Sequence, residues 1–163
     1  MKNLSYALLC TAILISCGQK KNFDPQTLEK EAQTVAHNFI DNLSKNDTSA
    51  IMATFSKRND FTVIMNNTMS GREEFHATAS QMIPSIEKQT FENMKEKFVI
   101  LSPETFVYCY TSLNKMFEKN GVVTTINPIL STYTFHKEAD GWKILHMHET
   151  WLNMAVDSSM VKK

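Results

Sequence analysis

The residues with the widest chemical capacity lie near the end of the chain, in the run Asp140-Gly141-Trp142-Lys143-Ile144-Leu145-His146-Met147-His148-Glu149-Thr150. Imidazoles exchange protons near neutral pH and ligate metals, so a His-x-His pair is the first place to look for catalysis or coordination. Side chains of a strand alternate between faces. Trp142, Ile144, His146 and His148 then share one side, and Lys143, Leu145, Met147 and Glu149 the other. The stretch around Ser131, Tyr133 and Phe135 is the natural hairpin partner, with its turn near residues 138–141. An even number of loop residues brings Ser131, Tyr133 and Phe135 to the Trp142 side, whereas an odd number brings Thr132, Thr134 and His136. Even pairing gives a face of Trp, Ile, Phe and Tyr. That face is assigned to the interior, with His146 and His148 beside Tyr133.

Three kinds of chemistry follow from two interior histidines. A metal site needs at least a third protein ligand. Even pairing turns His136 away and sets no carboxylate close by, so neither metal nor cofactor is expected. Proton transfer could use His146 or His148, and the one strand-associated acid to nominate is Asp60, at a strand mouth. The favoured role is plainer: the two imidazoles hydrogen-bond buried partners or orient the polar end of a ligand. Tyr108 and Tyr110 lie on one face of their strand with Phe106 and Ser112, opposite Val107, Cys109 and Leu113, and either face could be internal. Tyrosines make amphipathic pocket walls. The expected ligand-binding set is therefore His146, His148, Tyr133, Tyr108, Tyr110 and Trp142. Cys109 is expected to be a buried small hydrophobe, while His37, His76 and Arg72 are expected at the surface. Leu145, Met147 and Trp151, on the opposite face, suggest a contact surface.

The elements that must position these residues are legible in outline. Asp24-Pro25 is a helix start, with Asp as N-cap and Pro at the first helical position. Leu28, Ala32, Val35, Ala36, Phe39, Ile40 and Leu43 recur on one helical face. Asn46-Asp47 ends that helix, and Asp47 caps a short second one bearing Ile51, Met52 and Phe55. Residues 61–65 are rich in β formers and Asn66-Asn67 is turn-prone. Ser70-Gly71-Arg72-Glu73 has capping-box spacing, predicting a third helix from Gly71 towards Ile83, with Pro84 disturbing its end. Strand patterns then occupy residues 98–101, 106–113, 122–126, 129–136 and 142–151, punctuated by Ser102-Pro103, Asn120-Gly121 and Asp140-Gly141. Helices first and long strands after predict an α+β domain, three helices packed on one face of a curved antiparallel sheet.

Composition narrows the function classes. The chain has 163 residues with 17 Lys and Arg against 17 Asp and Glu, which suits one domain and supplies no basic stripe for nucleic acid. Residues 1–16 read as an export signal: Lys2, then an apolar run too short for a permanent span. The sequence Leu14-Ile15-Ser16-Cys17-Gly18 resembles a bacterial lipobox, which implies cleavage before Cys17 and acylation of that residue. Residues 17–23 would then be a tether. Gly18 after the Cys, rather than Asp, implies the outer membrane facing the periplasm. Cys10 leaves with the signal, so Cys109 has no partner for an internal disulfide.

Three segments in order carry a wider resemblance: residues 39–50 (FIDNLSKNDTSA), 60–74 (DFTVIMNNTMSGREE) and 140–150 (DGWKILHMHET). They resemble the nuclear transport factor 2-like superfamily, in its SnoaL-like and ketosteroid-isomerase-like branch. The resemblance implies a cone-shaped fold over residues 24–155, followed by a tail at 156–163, with a small-molecule pocket between helices and sheet. It also implies pairing of two copies, sheet to sheet, as a homodimer. Members include isomerases and dehydratases as well as non-catalytic binding and assembly domains, so fold alone does not fix the activity. The favoured expectation is a membrane-anchored lipoprotein that binds a small, mostly apolar ligand without turnover. The alternative is an isomerase or dehydratase using a pocket His or Asp60, and the third is a dimeric assembly module.

Overall fold

The computed structural model describes residues 24–159 and 161, so the signal, Cys17 and the whole of the tether lie outside the described residues. Three helices precede most of a seven-stranded sheet: α1 (Pro25–Lys45), α2 (Thr48–Thr54), β1 (Thr62–Met65), β2 (Thr68–Gly71), α3 (Arg72–Ser85), β3 (Ile86–Ser102), β4 (Thr105–Glu118), β5 (Val123–Glu138), β6 (Gly141–Trp151) and β7 (Ala155–Asp157). Helix α1 begins as its sequence predicts, with the Asp24 carboxylate accepting from the Gln26 N–H, and ends on Asn46 in the left-handed conformation. Asp47 caps α2 by accepting from the Ala50 N–H at 3.0 Å. The Ser70 cap does not form. Ser70 is in β2, and Gly71 is the N-cap of α3 with no side-chain hydrogen bond, because pairing of Val63 with Ser70 holds that residue extended.

The strand order is β2-β1-β6-β5-β4-β3, with β7 paired to β5. The sheet is mixed rather than wholly antiparallel. The chain passes through α2 before entering β1, and β1 runs parallel to β6, from Thr62 opposite His146 to Met65 opposite Glu149. Strand β3 extends far beyond the predicted residues 98–101. Its first half is mostly polar and its alternation is interrupted by a register shift between Glu92 and Lys95, so it lacks a period-2 signal.

The inner face of the sheet is read most simply from β4. Phe106, Tyr108, Tyr110, Ser112 and Asn114 are buried at every second position, which settles the facing of the tyrosines. Phe39 of α1 meets this face, its ring centroid lying 5.3 Å from that of Tyr133 and 6.0 Å from that of Phe55. Phe55, Phe61 and Phe75 close the core beneath α2 and α3.

Candidate functional site

One irregularity decides which residues reach the interior. The β5–β6 turn has the even loop that the sequence suggested, since Glu138 pairs with Gly141, and Phe135 lies opposite Ile144 on the inner face. The next pair is Thr134 with His146, so Leu145 is an extra residue in β6. Such a bulge sets two residues against one and inverts the facing of everything beyond it. Backbone pairing anchors the site of the bulge, because the Ser56 N–H donates to the Ile144 carbonyl at 2.9 Å.

The consequence is an exchange of side chains. Met147 and Glu149 are buried, and His148 is exposed. The interior facing assigned to His146 and His148 is therefore corrected: both lie beyond the bulge and point to the outer side. His148 borders an open groove of about 420 Å³ there, with Lys97, Cys109 and Thr132 among its neighbours. Cys109 faces this groove half-buried, not in the core, and its Sγ accepts from the Thr132 hydroxyl at 3.6 Å. Met147 and Trp151, expected to form an outer contact surface, instead line an inner cavity. Asp60 does not reach it. Its carboxylate is exposed and paired with Arg58 at 2.6 Å, a hydrogen-bonded contact that holds it below the usual carboxylate range.

The inner cavity has a volume of about 80 Å³ and lies between α3 and the inner sheet face. Its walls are apolar and rich in sulfur and aromatic groups, including Met65, Phe75, Phe91, Met116, Met147 and Trp151. Against them stand the polar side chains of Gln89, Tyr110, Asn114 and Glu149. Glu149 is only 8% exposed. Its Oε1 accepts from the Tyr133 hydroxyl, and from Ser131 Oγ at 3.2 Å, while Oε2 accepts from Trp151 Nε1 at 3.2 Å. Burial, then the Glu149 charge, pushes the Tyr133 phenol well above its ordinary pKa, and the same two causes raise Tyr110. Both phenols are thus donors at neutral pH. The arrangement can hold the polar end of a ligand or exchange a proton with it through a carboxylate backed by a neutral phenol.

Of the expected pocket residues, Tyr110 lines the cavity and Tyr133 reaches it through Glu149. Tyr108 is buried but donates to Glu96, which His37 of α1 also contacts at 3.2 Å. Trp142 sits among the core aromatics with its ring centroid 4.9 Å from that of Phe106, and its Nε1 donates to Glu31 at 2.7 Å. His76 is half-buried rather than solvated, with its Nε2 enclosed and unpartnered. Sequence reasoning missed Glu149, and the signal was present: an acid in an otherwise apolar strand, two residues from a Trp. Among the described residues, no three His, Cys, Asp or Glu side chains are grouped to hold a metal ion.

Helices capping the inner face of a curved sheet, with a cavity between them, match a described family over most of the chain. The model of the SnoaL-like domain covers residues 33–153. The chain belongs to the SnoaL-like domain family. Solved structures agree on the fold of this SnoaL-like domain. A candidate dehydratase of the NTF2-like family from Streptomyces avermitilis is similar with a TM-score of 0.65 and 14% identity, over 78% of this chain and 99% of that one. A ketosteroid isomerase-like protein from Erwinia carotovora atroseptica gives 0.60 and 17%, over 80% and 99%. The association domain of C. elegans CaMKII gives 0.57 and 16%, over 76% and 95%. At these identities the likeness is one of fold. No curated protein sequence matches this chain.

Proposed function

We propose that this SnoaL-like domain binds a small, mostly apolar molecule in its inner cavity, with Glu149 and Tyr110 meeting the ligand's polar end. The observation that carries this reading is the apolar space between α3 and the inner sheet face, with one buried carboxylate in its lining. Side chains that merely fill a core leave few voids larger than a water molecule. Space of this size, about 80 Å³, takes roughly three waters or a small ligand group of similar bulk. The lipobox-like Leu14-Ile15-Ser16-Cys17 supports an envelope lipoprotein held through Cys17, and association domains among the structural neighbours are compatible with a homodimer. The test is native mass spectrometry of the full chain released from mild detergent. A defined co-purifying small molecule, lost when Tyr110→Trp fills the cavity, is the expected result; a ligand retained by that variant refutes the assignment of the site. Cys17→Ala is expected to leave the membrane fraction, and persistence there would refute the anchor.

A second reading rests on the Glu149–Tyr133 pair. A carboxylate hydrogen-bonded by a neutral phenol suits abstraction of a proton beside a carbonyl, the reaction class of isomerases and dehydratases. Turnover of a bound carbonyl compound that Glu149→Gln abolishes without loss of binding would favour it.

A further inference from the structure

The charge of the cavity goes further than its shape. Glu149 is the sole carboxylate in the lining, and no Lys, Arg or His lines it. Among the described residues none of those cations forms an ion pair with it either. Buried carboxylates are ordinarily matched by a cation, because three neutral donors do not restore what water supplied. The donors present are unevenly distributed. Tyr133 and Ser131 both serve Oε1, leaving Oε2 with the Trp151 indole alone and a free acceptor position. Phe91, Tyr110 and Trp151 border the same space, and aromatic rings attract cations where water is excluded. Methionines at 65, 116 and 147 offer adaptable contact for an alkyl portion.

We infer that the ligand is a small primary alkylammonium ion, its N–H donating to Glu149 Oε2 beside the Tyr110 and Trp151 rings and its alkyl tail lying along the methionine wall. This rests on the reading that the cavity binds a small apolar ligand, and it names that ligand's polar end.

The experiment titrates the full chain at neutral pH with n-butylamine, which is protonated there, and with 1-butanol and butyrate. Heats of binding and tryptophan fluorescence are the two readouts. Butylammonium is expected to bind at least about tenfold more tightly than butanol, as a desolvated cation meeting a carboxylate and aromatic rings requires. Butyrate is expected not to bind, and Glu149→Gln to remove the preference. Equal binding of butanol and butylammonium overturns the cation assignment while leaving the cavity-binding reading standing. Absence of binding by all three overturns both. The wild-type preference needs no variant, and Trp151→Phe localises it should Glu149→Gln not fold. A fluorescence change surviving in that variant places the cation elsewhere and refutes the inference.

Discussion

Alkaline unfolding offers a quantitative check on the inner face. Three of the four tyrosines, Tyr108, Tyr110 and Tyr133, stand together there, and burial raises the pKa of each above the ordinary phenol value. Below about pH 10 folded and unfolded chains both hold these protons, so the full stability is present. Above it the unfolded chain releases them and the folded chain does not, so stability falls as pH rises towards the folded-state pKa values. Each retained proton contributes a slope of about 1.4 kcal/mol per pH unit. Three give about 4 kcal/mol per unit, enough to unfold a domain that starts with about 5–15 kcal/mol within roughly one to four units. Tyr133→Phe should flatten that slope by a third. It should also lower the plateau below pH 10 by about 1.5–3 kcal/mol, because Glu149 loses a charge-assisted hydrogen bond. Urea unfolding at stepped pH measures both, and tyrosinate absorbance follows the ionisation itself. A Tyr133→Phe curve running parallel to the wild-type curve would show that this phenol ionises in the folded protein, and the account of a sealed inner face would fail.

Other perturbations probe the packing and the facing of the last strand. Phe39→Ala removes the ring that joins α1 to Phe55, Tyr133 and Phe135, and should cost about 3–5 kcal/mol in chemical denaturation. A cost under about 1 kcal/mol would mean that α1 packs elsewhere. The double substitution His146→Ala/His148→Ala should leave any co-purifying molecule in place by native mass spectrometry, since both side chains lie on the outer side. Asp60→Asn should likewise leave binding unchanged in calorimetric titration, because its carboxylate is spent on Arg58 at the surface.

Local chemistry explains what is legible in the sequence. Asp24-Pro25 and Asp47 declare helix starts because a side-chain oxygen must satisfy backbone donors there, and the stripe from Leu28 to Leu43 declares the buried face. Strand β4 declares itself by alternation. The parallel pairing of β1 with β6 leaves no local mark, since neither strand's side-chain pattern depends on its neighbour's direction. The first half of β3 is hidden for another reason: its side chains are largely solvated and its register shifts, so no apolar period accumulates.

The site was obscured by one residue. Alternation from Trp142 to Ile144 is correct, and extending it to His146 and His148 is sound for an unbroken strand. Leu145 breaks that strand, and no local propensity announces it, because Ile-Leu-His is ordinary strand sequence. What does distinguish the two registers is their content. An unbroken β6 would bury His146 and His148 and expose Met147. The bulged strand buries Met147 and Glu149, placing the carboxylate where Tyr133 and Ser131 already face inward to donate to it. Hydrophobicity of one methionine weighs against two imidazoles, and three donors converge on the single acid. The register that wins is the one that both buries the sulfur and satisfies the charge, and the same choice turns a surface-looking glutamate into the chemical centre of the cavity.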